Sequence, residues 1–168
     1  MLPILLSRDY DVTPIFSFNA ASTNSRFGSA LEHITAATEL CGCEPMTTIS
    51  DVEPIGPKKL FDILVIAPCT GNTLAKIAHG IADTPVTMAT KSQLRNGRPV
   101  LIAVSTNDAL SGAAENIGKL LNRKHIYFVP FGQDDPESKP TSMVADFAQI
   151  PHAIEEALSG HQIQPILL

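Results

Sequence analysis

The sequence predicts an α/β fold, a three-layer doubly wound parallel sheet. Residues 63–67 (ILVIA) and 99–104 (PVLIAV) are continuous apolar runs, as expected of strands buried on both faces of a parallel sheet. Leu74, Ile77, Ala78 and Ile81 follow the first run at i, i+3, i+4 and i+7, the spacing of a helix with one apolar face. Strand-like and helix-like segments then alternate with short connections, which points to a parallel sheet covered by helices on both sides.

Residues 11–18 (DVTPIFSF) carry β-branched and aromatic residues and read as a strand, followed by the polar loop NAASTNSRFG. Residues 29–42 read as a helix with Leu31, Ile34 and Leu40 on one face and a glycine stop. MTTIS (46–50) reads as a short strand, and DVEPIGPKKLF, with two prolines, as a loop. After the 63–67 strand come helices over 73–82 and 86–97, the 99–104 strand, and a helix over 108–124. A strand over 126–131 and a helix over 142–160, bent near Pro151, complete the pattern. No repeat or linker divides residues 1–168, so a single domain is expected.

Composition narrows the function. Hydrophobic residues make up 44% of the 168 and charged ones 17%, a globular balance. The net charge of −5 argues against nucleic acid or an anionic membrane as the main partner. No apolar run reaches the ~18 residues of a membrane span, and the first residues lack a signal-peptide pattern. Cys41, Cys43 and Cys69 form no ligand-spaced set, so a reduced, cytoplasmic protein with no metal is expected.

The stretch PCTGNT lies where the 63–67 strand hands over to a helix, and in such sheets ligands bind beyond the carboxyl ends of the strands. Thr70, Asn72 and Thr73 supply hydroxyl and amide groups there, and the helix start adds backbone N–H donors. A phosphate or carboxylate is the natural guest; an ordinary helix cap is the alternative. No Gly-Lys-Ser/Thr follows, and the glycine spacing of a dinucleotide fingerprint is missing.

The longer stretch APCTGNTLAKIAHGIADTP resembles the central motif of the flavoprotein family, which includes flavin-containing cysteine decarboxylases and flavin prenyltransferases. The resemblance implies a Rossmann-like flavoprotein fold, FMN as cofactor, and cofactor-binding roles for Thr70, Asn72 and Thr73. STNSRFG (22–28), PVLIAVSTNDAL (99–110), YFVPFGQDDP (127–136) and QPILL (164–168) are similar to one branch of that family, the B subunits of bacterial dipicolinate synthase. That similarity implies a part in oxidising a dihydrodipicolinate-level precursor to dipicolinic acid in the mother-cell cytoplasm of a spore former. It also implies an A subunit as partner, which would hold NAD(P), a small dicarboxylate substrate, and a homo-oligomer. A flavin-dependent decarboxylase or prenyltransferase, and a non-catalytic stabilising subunit, are the alternatives.

Two departures qualify the resemblance. Relatives begin with a strand and a Gly-Ser-x-Cys-Thr loop, whereas Met1 here falls near the end of the helix that follows. A βα unit of roughly 30 residues is therefore expected to be absent from this sequence, through a start codon that lies upstream, a fragment or a rearranged domain. Its loss would expose strand edges. The decarboxylases also place a catalytic histidine where Pro54 stands here, and proline cannot carry a proton. His33, the nearest substitute, belongs to another segment and reads as an ordinary helix residue. No general base is identified.

Among the remaining residues, Arg26 can grip a substrate carboxylate bidentately or form an ion pair within its loop. Asn107, at the carboxyl end of the 99–104 strand, matches an asparagine that contacts substrate or flavin in relatives; a helix N-cap is the other reading. Asp134 and Asp135, between Gln133 and Pro136, read as a solvated turn. Lys91, Arg95 and Arg98 read as a solvated face, and Cys69 as a small buried filler.

Overall fold

The computed structural model describes residues 2–25 and 28–168. In chain order the helices and strands are α1 (Leu2–Leu6), α2 (Phe18–Ser22), α3 (Ala30–Cys41), α4 (Ile49–Val52), α5 (Ile55–Lys58), β1 (Leu64–Cys69), α6 (Gly71–Ala78), α7 (Pro85–Arg95), β2 (Val100–Thr106) and α8 (Ala114–Leu121). Then follow β3 (Ile126–Phe128), β4 (Phe131–Gly132), β5 (Met143–Ala145), a 3-10 turn (Phe147–Gln149) and α9 (Ile150–Leu158).

β2 is the centre of the sheet. Val100, Leu101, Ile102, Ala103 and Val104 are all fully buried. Successive strand residues point to opposite faces, so both faces of β2 are covered; α6, α7 and α9 all pack on it. β1 runs parallel along one edge, and β3 runs parallel along the other, pairing with Val100 to Ile102. Where β3 ends, β5 takes over antiparallel at Ser105 and Thr106, with β4 beyond it. The doubly wound α/β arrangement is present, with a parallel core of three strands and an antiparallel extension. The chain's last residues add to β4: Phe131 N–H donates to the Ile166 carbonyl and Leu168 N–H to that of Phe131. On the outer side of β3, the Gln162 side chain accepts from Phe128 N–H (2.8 Å) and donates to the Phe128 carbonyl (2.7 Å).

Several elements differ from expectation for identifiable reasons. Residues 11–18 and 46–50 make one parallel bridge, Ile15 to Met46; Pro14, which has no N–H to donate, contributes only its carbonyl. The polar loop begins with α2, capped by Ser17. The 51–61 loop contains the end of α4 and all of α5, with Val52 and Ile55 buried. In α3 the buried positions are Ala30 and Ala37, while Leu31 is 72% exposed and Leu40 46% exposed. Helix α6 stops at Ala78, and Gly80 turns the chain at φ 73°, so Ile81 lies outside the helix. The helix expected from 108 starts only at Ala114, because the Asp108 carbonyl accepts from Ser111 and Ala113 in a turn. The 126–131 strand is divided at Val129 and Pro130, and Pro151 opens α9 instead of bending it, since proline suits a first helical turn.

The helix starts with the strongest caps are local. Ser29 accepts from Glu32 N–H while Glu32 accepts from Ser29 N–H (2.7 Å), and Thr48 and Asp51 do the same for α4. Asp51 accepts from both Thr47 and Thr48 N–H at 2.9 Å. These two donors and the Thr48 hydroxyl hold its carboxyl below the usual carboxylate range. A carboxyl with a lowered folded pKa stabilises the fold above its unfolded pKa, about 3.9, and that stabilisation is lost as pH falls through the folded value. Asp51→Ala should therefore have a lower Tm than the parent at neutral pH. The gap should narrow as pH falls below the unfolded value and through the lowered folded one, where the parent carboxylate also protonates. A gap that stays constant across a pH series of melting curves would exclude this role.

Candidate functional site

The carboxyl ends of β1 and β2 bring two loops together. β1 runs through a register shift between Ile66 and Cys69 and ends in the elbow, where Thr70 is the residue before α6. Thr70 has the extended backbone of a cap (φ −79°, ψ 160°), but its side chain makes no cap hydrogen bond. Its hydroxyl lies 3.3 Å from that of Thr73 instead. The first-turn N–H groups of α6 are thus left without a side-chain cap, and the capping alternative for the elbow does not describe it. Asn72 is exposed, and its carboxamide makes no hydrogen bond among the described residues.

Gly71 sets the separation between the two loops. A Cβ there would lie 2.8 Å from the Thr106 hydroxyl and 2.9 Å from the Asp108 carboxylate. Thr106 donates that hydroxyl to Asp108 at 2.5 Å, fixing the acid against the start of α6. Asp108 is the single formal charge in residues 68–73 and 105–108. An anion entering here meets the helix N–H donors but also this carboxylate, and like charges at short range repel. Thr70, Asn72 and Thr73 can also serve neutral groups that both donate and accept hydrogen bonds, beside the phosphate or carboxylate expected from the sequence.

Asn107 is not a helix cap either, because Ala113 precedes α8. Its Oδ1 accepts from the Ser142 hydroxyl (3.3 Å) and its carbonyl from the Thr141 hydroxyl (2.7 Å). Its amide nitrogen makes no hydrogen bond among the described residues. Leu110 N–H donates to the Thr141 carbonyl, and Gln133 to that of Pro140 (2.9 Å). Asp135 accepts from Ser138 N–H (3.0 Å) and Asp134 pairs with Lys139 (3.4 Å), so the aspartates do form a turn. Beside this rim an apolar groove of about 260 Å³ is lined by Ala109, Leu110, Ile117, Phe131, Met143 and Leu167.

The other candidate residues lie apart or are structural. Arg26 falls outside the described residues. The His33 ring packs against Gly28, on a helix whose main neighbours are α1 and α2. Pro54 starts α5, its carbonyl accepting from Lys58. Cys69 is fully buried, and burial pushes its thiol up to about 12, which suits an inert packing residue. Sequence reasoning missed Gly71, Thr106, Asp108 and Ser142. A glycine at a first helical position is a signal of close approach, but its partners are long-range.

Gly71→Ala provides a direct test. Alanine is favoured over glycine in helices by up to about 1 kcal/mol, so an unhindered site would gain stability. The clash with Thr106 and Asp108 should instead cost about 1–3 kcal/mol in urea unfolding. A variant as stable as the parent would show that the loops are not held in contact.

Known proteins share this architecture. A family model described as "Flavoprotein" matches residues 2–157. The dipicolinate synthase B subunit of Bacillus subtilis (strain 168) is 46% identical over 164 residues, 98% of this chain and 82% of the relative. The crystal structure of the dipicolinate synthase B subunit from Bacillus halodurans C superposes with a TM-score of 0.91 at 41% identity, covering 99% of this chain and 86% of that one. The FMN-dependent cysteine decarboxylase SpaF gives a TM-score of 0.55 at 29% identity, over 77% of this chain and 72% of that one.

Proposed function

The chain belongs to the flavoprotein family, and on that premise we propose that it is a B-type subunit of a dipicolinate synthase. In this reading it takes part in oxidising a dihydrodipicolinate-level precursor to dipicolinic acid, in the mother-cell cytoplasm of a spore-forming bacterium. One observation carries the proposal. STNDAL, the PFGQDDP loop with its return through Thr141 and Ser142, and the QPILL tail meet at one end of the sheet, joined by the hydrogen bonds of Asn107 and Phe131. These are the segments whose resemblance to the B-type branch is most specific, and the first of them meets the elbow at Gly71.

The donor set fits a flavin. Thr70, Asn72 and Thr73 offer donors and acceptors to the polar edge of a flavin ring, and the apolar groove beside Leu110 and Met143 suits an uncharged ring face. FMN, when bound, supplies two-electron redox chemistry. The protein's own residues then bind and orient. The free amide N–H of Asn107 and the guanidinium of Arg26 are assigned to the carboxylates of a small dicarboxylate. Asp108, held by Thr106, keeps a negative charge at the elbow that disfavours the substrate's carboxylates there. The chain lacks a dinucleotide glycine fingerprint, so NAD(P) is placed on a partner A subunit. A decarboxylase reading is less well supported, because Pro54 is spent on starting α5. Self-association is part of the proposal, with the exposed Leu31 and Leu40 of α3 as its support.

Fluorescence titration with FMN should show binding that Asn72→Ala weakens about tenfold, the value of roughly one lost hydrogen bond. Equal affinity in parent and variant would remove Asn72 from the cofactor site.

The activity test combines this chain with an A subunit, the precursor and NAD(P), and follows dipicolinate by ultraviolet absorbance. Omitting the chain should slow formation markedly. Asn107→Ala and Arg26→Ala should each raise KM for the precursor about tenfold or more, as expected for a lost charge-assisted contact. An A subunit that runs at full rate alone would make this chain a stabilising subunit without a catalytic role, and sedimentation of the purified chain as a monomer would discard self-association.

A further inference from the structure

A second cleft lies at the opposite end of the sheet. It is bounded by residues after α6, by α7, and by residues 123–125, which lead into the amino end of β3. Its volume is about 450 Å³, within the range of small-molecule sites, about 300–1,000 Å³. Lys91, Arg95, Arg123 and Lys124 line it together with His125, and no aspartate or glutamate is among the lining residues. Gathering four cationic side chains without an acid is unusual in a chain of net charge −5, because like charges repel unless something compensates them.

The geometry at this end is set by the fold. Arg123 donates to the Ile77 carbonyl at 3.3 Å, at the end of α6, which fixes the side chain across the cleft. His125 takes a left-handed φ of 66°, uncommon for a residue other than glycine, and so turns the chain sharply into β3. Lys91 and Lys124 make no ion pair among the described residues, while the Arg95 guanidinium reaches to Gly56 of α5. The nearby acid Asp83 is occupied by Lys76, whose ammonium lies 2.9 Å from both of its oxygens. The cleft's apolar lining comes from Ile77, Leu94 and Ile81, the last 47% exposed. The hydroxyls of Thr87 and Thr90 bond back to their own helix.

We propose that this cleft binds an organic anion that joins a flat apolar body to at least two negative charges, of the nucleoside diphosphate class. The apolar wall takes the base and the cationic rim takes the phosphates, for which arginine offers paired donors and lysine a point charge. This site is separate from the elbow, at the other end of the same strands.

The probes are ADP, pyrophosphate and adenosine, titrated calorimetrically into the full chain. ADP should bind saturably and more tightly than either pyrophosphate or adenosine, because each of those meets half of the site. Lys91→Glu and Arg123→Glu should each weaken ADP about tenfold or more, as expected for losing one charge-assisted contact. Lys139→Glu, the same charge change beside Asp134 at the opposite end of the sheet, should leave ADP binding unaltered, as should Asn72→Ala. Circular dichroism checks the variants, and Lys91→Gln stands in for any reversal that fails to fold. The proposal is overturned by absence of saturable ADP binding, by equal loss in Lys139→Glu, by pyrophosphate binding as tightly as ADP, or by loss of ADP binding in Asn72→Ala.

Discussion

Burial of the unbroken run from Val100 to Val104 is the constraint on which the rest of the structure depends. Each large apolar side chain of this kind contributes about 1.5–3 kcal/mol when removed from water, and alternation along a strand sends successive residues to opposite faces. Both faces must therefore be covered, which is why α6, α7 and α9 all pack on one strand. β2 also supplies hydrogen-bonding edges for β1, β3 and β5. Its carboxyl end then delivers Thr106 and Asp108 to the elbow, so the site inherits its positions from the most deeply buried segment. The candidate site at the rim is built on rigid backbone, which holds polar groups more closely than loops alone do.

The parts of this fold legible in the sequence are those set by neighbouring residues. The apolar runs marked β1 and β2, and the Ser29–Glu32 pair with Gly42 bounds α3 at both ends. What was not legible depends on distant partners. Leu31 and Leu40 satisfy a helical spacing, yet the small residues Ala30 and Ala37 are the ones buried, because close packing against α1 and α2 selects them. β5 is a strand because Ser105 and Thr106 offer it an edge, which no local pattern announces.

The candidate site divides in the same way. The strand-end rule placed Thr70, Asn72, Thr73 and Asn107 at one rim, and the structure brings the elbow and the 106–108 loop into contact there. That Asp108 is held against the elbow was hidden, because its neighbour Gly71 is far away along the chain. The result is a polar rim with the Asp108 carboxylate beside the elbow at one end of the strands and a strongly cationic cleft at the other. Two such different electrostatic environments on one sheet can select different ligands without competing for them.

The side chain of Gln162 has a further consequence. By accepting from the N–H and donating to the carbonyl of Phe128, it reproduces the bonding pattern of an adjacent strand with a single residue. An open strand edge is a template on which another chain can pair and aggregate. A glutamine held beside β3 occupies that template, so the sheet is closed to intruding strands there without the length of chain that another strand would require.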